Sequence, residues 1–363
     1  MNKKQLKNVE WSILICTIIL IAVGLFALGS ASKSSDLEDL KKQAMWVVVS
    51  IPVFVITMLI DYRMIAKISI GFYIVSIVLL IVVLLTSAIN GATSWFSIGP
   101  ISIQPAEFAK IAVVLFLANI MSKMSKNEIN KPLKLLMILG IAFLPIVLIT
   151  LQPDYGTAMA YLVATVLMLY VAGLKKRYII TAILIVVIAL PIMYFFVLPE
   201  HAKQRIDVYL NPYLDPRGAG YNIIQSKLAI GAGRLLGQGW MNGTQTHLGF
   251  LYPKTTDFIF AVIGEEMGFV TCSSIIILYI TLITRSISVA KNARDDLGSY
   301  IATGIVRNTF VPCSWKHRND SRIITNNRSS TTIYKLWRKF NDNKYDSNWI
   351  TSKYKLTKTK INI

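Results

Sequence analysis

The sequence has few of the side chains that most often bind metals or carry out covalent catalysis. It contains only three cysteines and three histidines in 363 residues, and neither set has the spacing of a metal site. Cys16 and Cys272 lie in apolar runs, where a thiol behaves as a small hydrophobic group. No Walker motif and no dinucleotide-binding glycine motif is present. The sequence therefore gives no indication of a zinc site, of cysteine chemistry or of a nucleotide-binding domain.

Charged residues are also few, at 16% of the chain, and long apolar runs take their place. Hydrophobic residues make up 54% and the mean hydropathy is +0.54. A membrane-spanning helix needs roughly 17 to 25 predominantly apolar residues, and the runs are of about this length. They cover residues 11–32, 44–60, 68–85, 108–121 (extended upstream through Pro105), 135–151, 157–174, 178–198 and 258–283. We predict an all-α, polytopic integral membrane bundle with about eight transmembrane helices.

The distribution of basic residues predicts the orientation of these spans. Short loops rich in Lys and Arg stay in the cytoplasm, and every second loop of this chain is basic, beginning with Lys3, Lys4 and Lys7. The intervening loops are charge-balanced or uncharged. The run 11–32 is longer than the apolar region of a cleavable signal peptide and is predicted to be a first anchor. We expect a multi-pass protein of the bacterial cytoplasmic (inner) membrane with a cytoplasmic N-terminus.

The longest segment between predicted spans covers residues 199–256, between spans seven and eight on the outer face. A loop this long in a compact membrane protein is usually functional. It has six basic residues against three acidic ones, an excess of three positive charges. The basic residues are Lys203, Arg205, Arg217, Lys227, Arg234 and Lys254. The excess fits either an anionic partner or a loop that is only solvated.

Several polar side chains lie at or inside the predicted spans, where an ionisable group costs roughly 2.5 to 3.5 kcal/mol. Gln104, Glu107 and Lys110 follow one another at intervals of three, which puts them on one helix face. Glu107 and Lys110 are placed to form an ion pair, either to join helices or as part of a site. Asp154, between two spans, is either the cap of the next helix or a functional carboxylate.

The most distinctive segment is the polar, glycine-rich stretch 237–269, GQGWMNGTQTHLGFLYPKTTDFIFAVIGEEMGF. Asp257 begins an apolar run here, and Glu265 and Glu266 lie eight and nine residues further in. Asp257 follows two threonines and is a candidate helix cap. Capping does not exclude catalysis, because a carboxylate partly removed from water at a membrane boundary is suited to accept a proton.

The motifs of this chain closely resemble those of the SEDS (shape, elongation, division and sporulation) family, the RodA/FtsW group of bacterial peptidoglycan glycosyltransferases. The resemblance runs from the first span to about residue 305. Four segments carry it: SIGPISIQPAEFAK at 97–110, QPDYGTAM at 152–159, LNPYLDPRGAGYNIIQSKLAIGAGRLLGQGW at 210–240 and GTQTHLGFLYPKTTDFIFAVIGEEMGF at 243–269. The GTQT element favours the elongation-type, RodA-like branch, since the division-type branch is expected to carry a Ser-x-Gln-Lys pattern there.

The resemblance implies that lipid II, a disaccharide-pentapeptide on undecaprenyl pyrophosphate, is polymerised into glycan strands at the outer face, for elongation and rod shape. The family's catalytic aspartate falls on Asp257, which would act as general base. The implied substrate-binding residues are Gln104, Glu107, Lys110, Asp154, Arg217, Lys227, Arg234 and Gln245. The implied protein partner is a class B penicillin-binding protein transpeptidase. No nucleic-acid partner and no cofactor is indicated, and a divalent cation, Mg²⁺ or Mn²⁺, stays open at this point.

Two departures from the family pattern and two other functions bear on this expectation. Leu251 is followed by Tyr252 and Pro253, where members often have Leu-Pro-Glu, and Ser102 stands where many relatives carry a basic residue. The other functions are a lipid II flippase and a non-catalytic scaffold for the transpeptidase. A carrier is expected to show internal repeats or broken helices around a midplane site, and no convincing repeat is evident. A scaffold would not need Asp257.

Beyond residue 305 the family should continue with two further spans, for a total of ten, but this chain becomes polar. Residues 306–363 contain 13 Lys and Arg against 3 Asp, a net charge of +10. The segment KLWRKF at 335–340 can be written AAG TTA TGG AGG AAG TTC, which gives Ser-Tyr-Gly-Gly-Ser one base later. Allowed codons from Asn319 onward give MTVGLLPITGVPLPFISYGGS in that frame, similar to the family's missing loop and span. We predict that 1–305 is the SEDS domain, that the tail is an out-of-frame, disordered product, and that this chain is inactive or poorly folded.

Overall fold

The computed structural model describes residues 10–33, 36–86, 94–98, 101–152, 154–197, 200–218, 220–251, 254–255 and 257–306. Of the predicted tail, only residue 306 is among them. The out-of-frame origin of the tail and the domain boundary at residue 305 therefore stay predictions.

The described chain is almost entirely helical, and each predicted span coincides with a helix. In chain order the helices are α1 Trp11–Ala31, α2 Glu38–Leu59, α3 Tyr62–Lys67, α4 Ser69–Leu84, α5 Pro105–Met121, α6 Lys126–Ile129, α7 Pro132–Leu151, α8 Tyr155–Val171, α9 Lys176–Ile192, α10 Glu200–Leu210, α11 Tyr221–Ala232, α12 Thr244–His247, α13 Ile259–Lys291 and α14 at residues 296–306. A π-helical turn, Met193–Val197, follows α9, and a 3₁₀ turn, Pro212–Leu214, follows α10. The predicted outer loop 199–256 thus contains three helices of its own.

Four of the described helices are long and apolar enough to cross a membrane: α1, α2 from Glu38 to Thr57, α7 and α13. Helices α4 and α8 are apolar but shorter, at 16 and 17 residues. The protein is an integral membrane protein with a helical bundle, as predicted. The count of eight spans stays a prediction, because the other helices fall below the length or hydropathy of a full span.

In the described ranges, one pair of short strands interrupts the helices. The strands β1 Phe96–Ile98 and β2 Ile101–Ile103 pair antiparallel, with Ser97 opposite Ser102. From the sequence, this segment is predicted to be an uncharged loop, because an alternation of only three residues is too short to indicate a strand. The hairpin leads directly into α5, whose first residue is Pro105, as the extension of span four predicted. A proline suits this position because the first helical N–H has no partner within the helix.

The buried side chains form two clusters. The larger cluster contains residues of α4, α5, α7, α8 and α14. The other cluster contains residues of α1, α11 and α13. Helix α14 packs closely in the first cluster. A Cβ at Gly304 would lie 2.5 Å from Val114 Cγ1 and 2.8 Å from Met168 Sδ, so only glycine fits there without a shift of its neighbours. The last described helix is therefore part of the core, although the polar tail begins within it.

Candidate active site

Two of the predicted substrate-binding residues meet where α5 and α8 begin. Gln104 occupies the N-cap position of α5 and Asp154 that of α8. Asp154 Oδ1 accepts a hydrogen bond from Thr157 N at 3.0 Å, while Oδ2 accepts from Thr157 Oγ1 at 2.8 Å and from Gln104 Nε2 at 2.7 Å. The capping alternative for Asp154 is therefore confirmed. The same buried carboxylate also joins the two helix starts.

The predicted ion pair on α5 is also present. Lys110 Nζ lies 3.0 Å from Glu107 Oε2, and the two side chains are only 7% and 13% exposed. Lys110 lines a narrow cavity between α5 and α8 together with Tyr161, Thr165 and Met168. A buried pair of this kind adds little net stability, but removal of one partner leaves an uncompensated charge. The pair is thus confirmed as a contact, and its role in substrate binding stays a prediction.

The 237–269 stretch ends inside helix α13, which begins at Ile259 and breaks at Gly268, where φ is 76° and ψ is −176°. At this break, the backbone of residues 233–239, which we call the docking loop, forms hydrogen bonds with the backbone of the helix. Gln238 N donates to Glu265 O at 2.9 Å and Gly239 N donates to Glu266 O at 3.0 Å. These two carbonyls would otherwise accept from the next turn of α13.

The amide groups on the other side of the break are also bound by the docking loop. Phe269 N donates to Arg234 O at 2.9 Å, and Val270 N donates to Leu235 O at 3.1 Å. In the docking loop, Gly237 lies between the residues that accept and those that donate these bonds. Its φ is 86°, and a Cβ on it would lie 2.1 Å from the backbone oxygen of Glu266 in α13. The loop therefore replaces two consecutive hydrogen bonds of the helix, and glycine permits the close approach.

The side chain of Glu265 anchors the GTQT motif. Its Oε1 accepts from Gln245 N at 2.6 Å and from Thr244 Oγ1 at 3.3 Å. Its Oε2 accepts from Thr246 N at 3.0 Å and from Thr246 Oγ1 at 2.6 Å. Glu265 is 0% exposed, so the short helix α12 is held on a fully buried carboxylate.

The neighbouring Glu266 joins the same region to the first helix. Its Oε1 accepts from Ser30 Oγ at 2.6 Å and lies 3.3 Å from His247 Nε2. Lys254 Nζ donates to Thr246 O at 3.2 Å. Burial lowers the pKa of Lys254, and the attraction of Glu266 opposes part of this effect. Glu265, Glu266 and Lys254 thus all lie close to α12, which itself contributes His247.

Asp257 lies at the entrance to α13. The N-cap position falls on Phe258, one residue after Asp257, so Asp257 is not the N-cap residue of this helix. Asp257 is partly exposed, whereas Phe258 and Ile259 are buried. Glu265 is eight residues further along, which corresponds to about 12 Å of helix.

The other predicted substrate-binding residues differ in their exposure. Arg217 and Arg234 are exposed, Lys227 is partly buried on α11, and Gln245 Oε1 is buried without a hydrogen-bond partner among the described residues. No three His, Cys, Asp or Glu side chains are grouped as metal ligands in the described ranges. Substrate binding by these residues stays a prediction.

The sequence alone predicts no role for the side chains that hold α12. Glu265 and Glu266 had a visible signal, since two adjacent acids stood inside an apolar run. Ser30 and His247 had none, because they lie 236 and 19 residues from Glu266 and follow no spacing rule.

Comparison with known proteins finds one matching family and several similar proteins. The family FtsW/RodA/SpoVE, described as cell cycle protein, matches residues 10–314. Peptidoglycan glycosyltransferase MrdB of Escherichia coli is 40% identical over 242 residues, 66% of this chain and 64% of that protein. The chain therefore spans slightly less than two thirds of the length of the MrdB relatives. Stage V sporulation protein E of Bacillus subtilis is 33% identical over 305 residues, 81% of this chain and 82% of that one.

Solved structures have the same fold. A chain of a peptidoglycan synthase complex that coordinates polymerization and crosslinking gives a TM-score of 0.80 at 20% identity, covering 95% of this chain and 98% of that one. The rod shape determining protein RodA of Thermus thermophilus gives a TM-score of 0.70 at 20% identity, covering 95% and 97%. The match over residues 10–314 covers most of the sequence, and the chain therefore belongs to the FtsW/RodA/SpoVE family.

Proposed function

We propose that this protein is a peptidoglycan glycosyltransferase that polymerises lipid II at the outer face of the cytoplasmic membrane, in cell elongation. The names of the relatives support the reaction, and the GTQT motif supports the elongation-type branch. Asp257 is the general base.

One observation carries the proposal: the position of Asp257. Its carboxylate is partly exposed, directly before the buried residues Phe258 and Ile259 that begin the long apolar helix α13. Lipid II has a water-soluble sugar and an apolar lipid joined by pyrophosphate. A base that acts on the sugar must therefore lie where a polar loop enters an apolar helix, and Asp257 is at such a place.

The proposed reaction needs one base and compensation for one growing negative charge. Asp257 accepts the proton of the acceptor sugar hydroxyl while that oxygen attacks the anomeric carbon of the donor. The bond from this carbon to the pyrophosphate oxygen breaks, and the lipid pyrophosphate leaves with the electron pair. The basic residues of the outer loop, Arg217, Lys227 and Arg234, together with Lys254, offset the charge that develops on the leaving group.

The proposal includes an orientation and a partner. A cytoplasmic N-terminus puts the 199–256 segment, and with it Asp257, on the outer side of the membrane, where lipid II is polymerised. A class B penicillin-binding protein transpeptidase is the proposed partner. The likeness in fold to a chain of a peptidoglycan synthase complex supports this partner.

Polymerisation of lipid II by purified protein in proteoliposomes tests the function. The assay uses the chain as it stands and, in parallel, a version whose tail is recoded in the shifted frame. Asp257→Asn should lower the polymerisation rate by at least about 100-fold, the lower range of general-base contributions, while lipid II binding is retained. The matched control is Asp36→Asn, an exposed carboxylate outside the site, which should leave the rate unchanged.

Two results would contradict the proposal. Absence of polymerisation by both the chain and the recoded version would exclude the function. Substantial residual turnover by Asp257→Asn would exclude the general-base role.

A further inference from the structure

We infer that Glu265 is a positioning residue, whose carboxylate holds the α12 turn so that Gln245 faces the substrate. This inference rests on the proposed function and assigns a task to a side chain that does not itself contact the reacting atoms.

The first step is the strength of the anchor. One carboxylate, 0% exposed, accepts four hydrogen bonds, all from Thr244, Gln245 and Thr246. Two of the donors are backbone N–H groups at the start of a short helix, which have no partner within that helix. If the carboxylate were lost, these buried donors would be left unsatisfied, which favours displacement of the turn.

The second step is the rigidity of the residue that supplies the carboxylate. The carbonyl of Glu265 is bound by Gln238 N at 2.9 Å, so the backbone beneath the side chain is fixed by the docking loop. On the other side, Gly243 lets α12 come close: a Cβ at that position would lie 2.8 Å from Glu265 Oε2. The carboxylate is thus fixed on one side and closely approached by the turn on the other.

The third step concerns the side chain of Gln245, which belongs to this turn. Gln245 donates its backbone N–H to Glu265, while its side-chain Oε1 is buried without a partner among the described residues. A buried acceptor of this kind is costly unless a donor arrives. A sugar hydroxyl or the N–H of an acetamido group supplies such a donor, and the disaccharide of lipid II contains both.

A backbone carbonyl of the same turn also binds a lysine side chain. Thr246 O accepts from Lys254 Nζ, and an ammonium group has three donors. A phosphate oxygen can take a remaining donor. The turn that Glu265 anchors therefore carries an acceptor for the sugar and supports a cation for the pyrophosphate. Glu265 is about 12 Å along the helix from Asp257, which is consistent with positioning rather than proton transfer.

The positioning step is tested without catalysis. In a background with Cys16, Cys272 and Cys313 changed to Ala, Gln245→Cys is labelled with a membrane-impermeant maleimide. Adding Glu265→Gln should increase the labelling rate by at least about fivefold, because buried unsatisfied donors favour release of the turn. Glu38→Gln, an exposed glutamate on α2, is the matched control and should leave the rate unchanged. Equal labelling rates with and without Glu265→Gln would overturn the inference.

A second variant covers the case in which Glu265→Gln does not fold. Thr244→Val with Thr246→Val removes both hydroxyl donors but keeps the carboxylate and the backbone bonds. It should also accelerate labelling of Gln245→Cys, by a smaller factor. An unchanged rate in this variant would likewise contradict the inference.

Kinetics test the consequence for the substrate. Glu265→Gln and Gln245→Leu should each raise the KM for lipid II by about tenfold, the effect of one lost hydrogen bond of ordinary strength. The KM of the double variant should be no higher than that of the single variants, because Gln245 in a displaced turn no longer contacts the substrate and its replacement has no further effect. Multiplicative losses would mean that Glu265 acts only on general stability and would overturn the positioning role. Absence of polymerisation by both the chain and its recoded version, without these substitutions, would contradict the proposed function instead, and the labelling rates would still decide whether Glu265 holds the turn.

Discussion

Asp154 acts on two helices at once. It caps α8 through Thr157 and also binds Gln104 at the start of α5, which the sequence alone did not connect. Gln104 Oε1 is buried without a hydrogen-bond partner among the described residues, so the amide of Gln104 uses only part of its capacity. The residue is thus a junction between two helices, irrespective of any contact with substrate.

Two substitutions at Asp154 should distinguish the contribution of its hydrogen bonds to stability from the contribution of its charge. Asp154→Ala removes both the cap and the bond to Gln104, and should lower the free energy of unfolding by about 2 to 4 kcal/mol. Asp154→Asn keeps the capping oxygen, and its amide can donate to Gln104 Oε1 if the Gln104 amide turns over, so its loss should be below about 1 kcal/mol. Thermal unfolding in detergent measures the difference. Equal stability of the two variants would argue against the junction.

The site could be predicted from the sequence only where its partners are close in the chain. The Glu107–Lys110 pair follows from a spacing of three, and the Asp154 cap follows from its position before an apolar run. The bonds from Ser30 and His247 to Glu266 follow no such rule, because only the folded chain brings these residues together. The proposed catalytic role of Asp257 rests on the family resemblance and not on spacing.

At the scale of elements, the break in α13 depends on two glycines that face each other. Gly237 in the docking loop and Gly268 in α13 both have positive φ, and a Cβ on Gly268 would lie 2.3 Å from Gly237 N. Two backbones therefore meet without a side chain between them. The apolar run 258–283 predicted one uninterrupted helix here, because hydrophobicity alone does not record a break whose hydrogen bonds are supplied from elsewhere.

Gly237→Ala should disrupt the docking of the loop, since the new Cβ would lie 2.1 Å from Glu266 O at a φ of 86°. We expect a loss of at least about 2 kcal/mol in the free energy of unfolding. Gly231→Ala is the matched control, because the glycine is in α11 with nothing within 4 Å of the added Cβ. It should be neutral or slightly stabilising, by up to about 1 kcal/mol, since Ala favours a helix over Gly. Melting curves in detergent compare them, and similar losses would argue against a specific close approach.

At the scale of the whole molecule, most of the architecture could be predicted from apolar runs. The start of α5 at Pro105 and the long helix from Ile259 agree with the predicted spans within a few residues. The strands β1 and β2 were missed, because an alternation of only three residues does not distinguish a strand from a loop. The helices within the outer loop were also missed, since they lie in a polar segment where hydrophobicity gives no signal.

The tail offers a test of the entire chain. If residues 306–363 are out of frame, recoding them in the shifted frame restores the family's last two spans and covers helix faces that would otherwise lack partners. We expect the recoded protein to polymerise lipid II at least about tenfold faster than the chain as it stands, which corresponds to 1.4 kcal/mol or more. Equal activity of the two proteins would show that the tail does not limit function.

The break in α13 also bears on the order in which the chain folds. Within a bilayer, backbone amides and carbonyls without partners cost several kcal/mol each, and water cannot satisfy them. The docking loop supplies the partners for Glu265, Glu266, Phe269 and Val270, and it precedes them in the chain. During synthesis, the loop is therefore made before the helix that needs it. At the break in α13, the protein's own loop takes the place that water has in a soluble protein.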